Sequence, residues 1–277
     1  ARRFATAEEL AKALREALLQ SVPRFETQRI VVGKGGDCLS LRVALRQVRP
    51  GAVITVLPGR YREAIRMERG VTIQGEGNPG DIVVESPSGP SLLVDAPHCT
   101  IRGITLHGRG EGPAVELRSG PATLQGCRIE GLRVGRGAVV LLEACEVGGT
   151  EWHPGILLET AAELSLVRSA VASALWVGLL LHSGARVTAE DSRFEDSPAG
   201  SVELGQGSSS RFLRCDFRRS RFAGLLLFQG GVATLEDCLL SGHEGAGLHA
   251  LEGSLAALTG CRIMDNGGMG VSLVDGA

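Results

Sequence analysis

Two titratable residues, Glu203 and His249, fall on one line of this 277-residue chain, and what they could do follows from a repeat. Gly155, Gly178, Ser201, Gly224 and Gly247 stand 23 residues apart, and Gly270 continues the count. After each anchor comes a short apolar run: ILLE at 156–159, LLLH at 179–182, VELG at 202–205, LLLF at 225–228 and LHAL at 248–251. If these runs are strands of one stacked sheet, alternation sends Ile156/Leu158, Leu179/Leu181, Val202/Leu204, Leu225/Leu227 and Leu248/Ala250 inward. The outward row is then Leu157, Leu180, Glu203, Leu226, His249 and Ser272. Stacking separates Glu203 from His249 by two coils, about 9.6 Å, with Leu226 between them. Glycoside hydrolysis asks for two carboxylates about 5–10 Å apart, and a lyase asks for calcium-binding acids and a base. One acid and one imidazole meet neither requirement, so no catalytic residue is expected on the row. Its leucines read instead as a partner-binding surface, which Trp176 and Phe228 at the strand ends would widen.

One turn departs from the small residues of the others: G-G-T-E-W-H-P-G at 148–155. Trp152 and His153 read either as a corner whose indole covers a neighbouring coil or as a recognition loop. A second register runs through Cys127, Cys145, Ser169, Ser192, Cys215, Cys238 and Cys261, with 23 or 24 residues between rungs from Cys145 onward. A metal needs ligands that converge, whereas these spread along an axis and contain no C-x-x-C pair. They are expected to line an inward corner as small apolar groups, with no metal and no cofactor. Free thiols fit a cytoplasmic protein. Just before the ladder, Arg168, Asp191, Arg214 and Asp237 alternate in sign and read as surface pairs. Arg211, Arg218, Arg219 and Arg221 form a basic cluster that reads as a solvated face.

The elements that position these residues are strands. A self-similar period in the twenties with strand periodicity marks a β-solenoid, and 39 glycines suit a fold with a corner every few residues. The expected architecture is all-β, about ten coils over residues 29–277. Two helices precede or open it. RFATAEELAKALREALLQ carries a capping box, Thr6 with Glu9, and Leu10, Leu14 and Leu18 on one face, so residues 1–28 read as a helix over 7–20 and a linker. Ser40 caps a second helix over 40–48, ended by Pro50-Gly51. The net charge of −2 points to no nucleic acid and no membrane, and no apolar run is long enough to span a bilayer. The chain's start at Ala1 and its stop one strand into a new coil suggest a piece of a longer protein.

Two resemblances add to this. V-G-K-G-G-D-x-x-S-L-x-x-A-L, followed by P-G, I-x-V-x-P-G-x-Y-x-E and V-T-I-x-G-E-G, resembles the opening of right-handed parallel β-helix proteins of the pectin-lyase-like superfamily. There the small helix plugs the N-terminal end, which implies corner-shaping roles for Arg60, Tyr61 and Glu63. The Asp-Asp pair, N-x-D and G-H-G phrases of polygalacturonases are missing, as is the G-x-x-D-F-I-F-G phrase of pectin methylesterases. RFATAEELAKAL resembles the last helix of bacterial serine/threonine kinase domains, and none of the kinase's own motifs is present. The function expected from this combination is a non-catalytic sensory or protein-interaction scaffold attached to such a kinase. The partner-contacting residues would be Trp152, His153, Leu157, Leu180, Glu203, Leu226, Phe228 and His249. The alternative is a polysaccharide lyase, hydrolase or carbohydrate-binding module, which the 4% aromatic content disfavours.

Overall fold

The computed structural model describes residues 27–228 and 230–274; the helix expected over 7–20 lies outside them. The described chain winds into a triangular solenoid of three parallel sheets. Sheet 1 has eleven strands from Arg29–Val32 to Leu255–Thr259, sheet 2 has ten from Gly59–Tyr61 to Arg262–Met264, and sheet 3 has ten from Ile65–Met67 to Val271–Leu273. Each coil passes through sheets 1, 2 and 3 in turn. It then returns one rung up, so every ladder is parallel and the crossover is right-handed. The fold is thus an all-β right-handed parallel β-helix of about eleven turns, opened by the strand Arg29–Val32, which pairs with Val53–Val56.

Alternation within each strand builds the interior. Ile156, Leu158, Leu179, Leu181, Val202, Leu204, Leu225, Leu227, Leu248 and Ala250 are all buried, as their spacing requires. Phe194 stacks on Phe217 at 5.1 Å, with Phe212 edge-on to both. The helix Leu41–Gln47 turns Leu41 and Ala44 into the same core at the N-terminal end. Its N-terminus is held by Ser40 and by Glu63, whose carboxylate accepts from the Leu41 and Arg42 N–H groups at 2.8 and 3.1 Å. Tyr61 donates its hydroxyl to the Leu57 carbonyl at 2.7 Å. Both residues therefore shape the corner below the helix.

The Cys/Ser column lies at the corner between sheets 1 and 2, buried except at Cys261, and all seven cysteines are free. Each corner turns on a left-handed residue, among them Arg168, Asp191, Arg214 and Asp237 at φ from +48° to +53°. The next backbone N–H then points at the rung above: Cys145 N–H donates to Ser169 Oγ and Ser169 N–H to Ser192 Oγ, both at 3.1 Å. Cys215 N–H reaches Cys238 Sγ at 3.4 Å. The column therefore supplies acceptors to backbone donors that no strand satisfies. The alternating charges beside it pair only in part: Arg214 grips Asp191 through two bonds, at 2.7 and 3.1 Å, whereas Arg168 pairs with Glu143 and Asp237 makes no ion pair among the described residues. The basic cluster is largely neutralised, Arg211 by Glu236, Arg218 by Asp216, and Arg219 by Glu195 and Asp196.

A second polar column stands at the corner between sheets 2 and 3. Ser220 N–H donates to His243 Nδ1 and His243 N–H to Asn266 Oδ1, each at 3.1 Å. Because Nδ1 accepts, the imidazole proton sits on Nε2, which is buried without a partner. Burial pushes the His243 pKa down. A histidine whose folded pKa is lowered contributes its stability fully above the unfolded value, about 6.5, and loses it as pH falls below that. The urea midpoint should therefore fall between pH 7.5 and 5, and His243→Asn, whose amide oxygen can take the Ser220 N–H, should flatten that fall. An unchanged slope in the variant would show that His243 does not set it.

Candidate functional site

The outer face of sheet 3 carries one continuous row across ten strands: Arg66, Leu93, Glu116, Arg133, Leu157, Leu180, Glu203, Leu226, His249 and Ser272. The second half is the row that the repeat predicts. Its character differs from expectation, however. Leu226 is only 4% exposed, and Leu157 and Leu180 are half-buried. An exposed leucine stripe for a protein partner is therefore not present on this face, and the apolar side chains serve as the lining of a polar row.

Glu203 is the odd member of that row. It is half-buried between Leu180 and Leu226 on neighbouring strands, and no ion pair or hydrogen bond engages its carboxylate among the described residues. Its Oε1 lies 3.6 Å from where a Cβ on Gly200 would stand, so the side chain folds back over a residue that has none. Burial pushes its pKa up, since a site of low polarity disfavours the charged form. His249 stands two rungs further on, about 9.6 Å along the axis.

The edge of sheet 3 supplies what the row itself lacks. Trp176, Ala199 and Phe222 occupy consecutive rungs, immediately before the paired residues Val177, Gly200 and Ala223. Both aromatic side chains are exposed. The Phe222 ring meets the His249 ring edge-on at 6.0 Å. Two aromatic residues thus flank the coil that bears Glu203, two rungs or about 9.6 Å apart. Phe222 is a residue that the sequence analysis does not single out, since it follows directly on the basic cluster that ends at Arg221. Its signal was available, because it lies two residues before the Gly224 anchor just as Trp176 lies two before Gly178.

Nearer the N-terminal end, the same face is charged and already paired. Arg133 donates to Glu159 at 2.7 Å, and Arg118 to Glu116 at 3.1 Å. The Arg133 guanidinium holds the Glu159 carboxyl below the usual range. These two acids are therefore already paired, which leaves Glu203 as the carboxyl of this row without a partner among the described residues. The unusual loop stands at the same edge. Trp152 is 66% exposed, while His153 is buried and its Nδ1 lies 2.6 Å from the Pro154 carbonyl. His153 is thus buried at its own corner in this structure. Phe228 is half-buried in the turn after its strand. Among the described residues no three His, Cys, Asp or Glu side chains converge to hold a metal.

A carboxyl whose folded pKa is raised contributes stability below its unfolded value, near 4.3, and loses it as pH rises through the folded value. Glu203→Gln should therefore raise Tm at pH 7 by roughly 1–3 °C and leave it unchanged at pH 4. A lower Tm for the variant at pH 7 would make Glu203 a structural residue.

Comparison with known proteins bears on the fold. The family model for the right-handed β-helix region matches residues 154–277. No curated protein sequence matches the chain. Among solved structures, carrot pectin methylesterase aligns at 13% identity over 87% of each chain, with a TM-score of 0.57. The catalytic domain of an α-1,3-glucanase in complex with tetrasaccharides aligns at 12% identity over 90% of this chain and 66% of its own, at a TM-score of 0.54. A periplasmic alginate epimerase aligns at 12% identity over 85% of this chain and 71% of its own, at 0.52. At these identities the likeness is one of fold. It also corrects the expectation of a non-catalytic, kinase-associated interaction scaffold: these three aligned structures are of a pectin methylesterase, an α-1,3-glucanase and an alginate epimerase.

Proposed function

We propose that this chain binds a polysaccharide along the outer face of sheet 3, across the coil that bears Glu203. The observation that carries the reading is the placement of Trp176 and Phe222 on either side of an unpaired, half-buried carboxyl, on a parallel stack whose rungs repeat along one line. Aromatic faces take the apolar faces of sugar rings, while a few convergent polar groups fix orientation. Glu203 and His249 are the polar groups here, and the half-buried Leu157 and Leu180 complete the floor. The carbohydrates named for the fold's solved relatives, pectin, α-1,3-glucan and alginate, are the first to test.

A second reading, cleavage, is favoured by one property of Glu203. Its raised pKa suits a general acid, which would protonate the glycosidic oxygen while His249, two rungs away, takes a proton from the attacking water. The separation of about 9.6 Å leaves room for that water, close to the upper limit for inverting enzymes.

Calorimetric titration with oligosaccharides of those three glycans should give saturable binding to at least one. Trp176→Ala and Phe222→Ala should each weaken it roughly tenfold, about 1.4 kcal/mol. Binding unaffected by both substitutions would remove the face from consideration. Release of reducing ends, abolished in Glu203→Gln with binding retained, would establish cleavage; retention of full cleavage in that variant would exclude Glu203 as the acid.

A further inference from the structure

The N-terminal end of the solenoid has a character that the whole-chain charge conceals. Residues 27–70 hold nine Lys and Arg against three Asp and Glu, a net of +6, in a chain whose total is −2. All three acids are engaged locally. Asp37 accepts the Val31 N–H at 2.7 Å, Glu63 caps the helix Leu41–Gln47, and Glu68 pairs with Arg66 at 3.2 Å. Among the described residues, Arg29, Lys34, Arg42, Arg46 and Arg49 make no ion pair, whereas most arginines further along the solenoid do.

The helix explains why these cations gather. It packs Leu41 and Ala44 onto the core, so its opposite side faces away from the stack. That side presents Arg42 and Arg46 together with Val43, which is 41% exposed, and the adjoining loop presents Leu39 at 75% exposure. Lys34, Leu39 and Arg42 line one shallow depression with Arg60 and Arg62. Apolar side chains projecting among cations that have no ion-pair partner among the described residues are expensive to leave in water. The combination matches an anionic bilayer surface, whose headgroups take the cations while leucine and valine reach the acyl boundary.

We infer that this end of the solenoid docks on an anionic lipid membrane, with Leu39 and Val43 as the inserting residues and Arg42, Arg46 and Lys34 as the headgroup contacts. The axis of the solenoid then stands away from the bilayer, and sheet 3 stays open to solvent along its length. The inference is independent of the carbohydrate reading, since the two surfaces share no residue.

The full chain should co-sediment with vesicles of phosphatidylglycerol and phosphatidylcholine at 0.05 M salt and not with phosphatidylcholine alone. Binding should fall steeply by 0.3 M salt, as the screening length shortens. Arg42→Glu/Arg46→Glu should weaken partition by tenfold or more, at roughly fivefold per cation removed. Leu39→Asp should weaken it as well, and circular dichroism should show both proteins folded, because the altered side chains are exposed. Three outcomes would overturn the inference: no binding to the anionic vesicles, binding unchanged in both variants, or capture by soluble heparin with no vesicle binding.

Discussion

Everything in this molecule depends on each coil returning to register with the one beneath it, and the corners decide whether it can. Along a strand the backbone N–H and C=O groups satisfy one another from rung to rung. At a corner the chain must turn through a left-handed residue, and one N–H is left pointing along the axis into the interior. The Cys/Ser column at one corner and the Ser220–His243–Asn266 column at the next accept those donors. Leaving such groups unpaired in a dry core would cost about 1–3 kcal/mol each, repeated at every turn.

That constraint explains why so much of the fold was legible. A 23-residue period, an inward hydrophobe on each strand and a small polar rung at each corner are local features, so the sequence shows each of them directly. The inside-or-outside assignment of the sheet 3 strands rests on the same alternation and holds at every strand from Ile156 to Ala250. The expected depth of burial on the outer face did not hold. Alternation says which way Leu226 points but not what surrounds it, and its burial depends on neighbouring coils and edges that are remote in sequence.

The site was legible only in part for a related reason. Glu203 and His249 stood out because they interrupt a leucine row. Phe222 did not, because its neighbours Arg219 and Arg221 drew the eye to charge, and the role of Gly200 in accommodating the Glu203 carboxyl is a matter of three dimensions. The net charge is likewise a coarse guide: one number for the chain averages a basic end against an acidic remainder. His153 is the converse case, a conspicuous residue type in a conspicuous loop that lies buried against its own corner.

The central claim is that carbohydrate lies beside Trp176 on the outer face of sheet 3. The chain has two tryptophans, so replacing Trp152 with Phe leaves Trp176 as the sole indole reporter. Titrating that variant with an oligosaccharide that binds the unaltered chain should shift and saturate the Trp176 emission at the same affinity that calorimetry gives. Emission that stays constant while calorimetry records binding would place the ligand elsewhere on the solenoid and contradict the account.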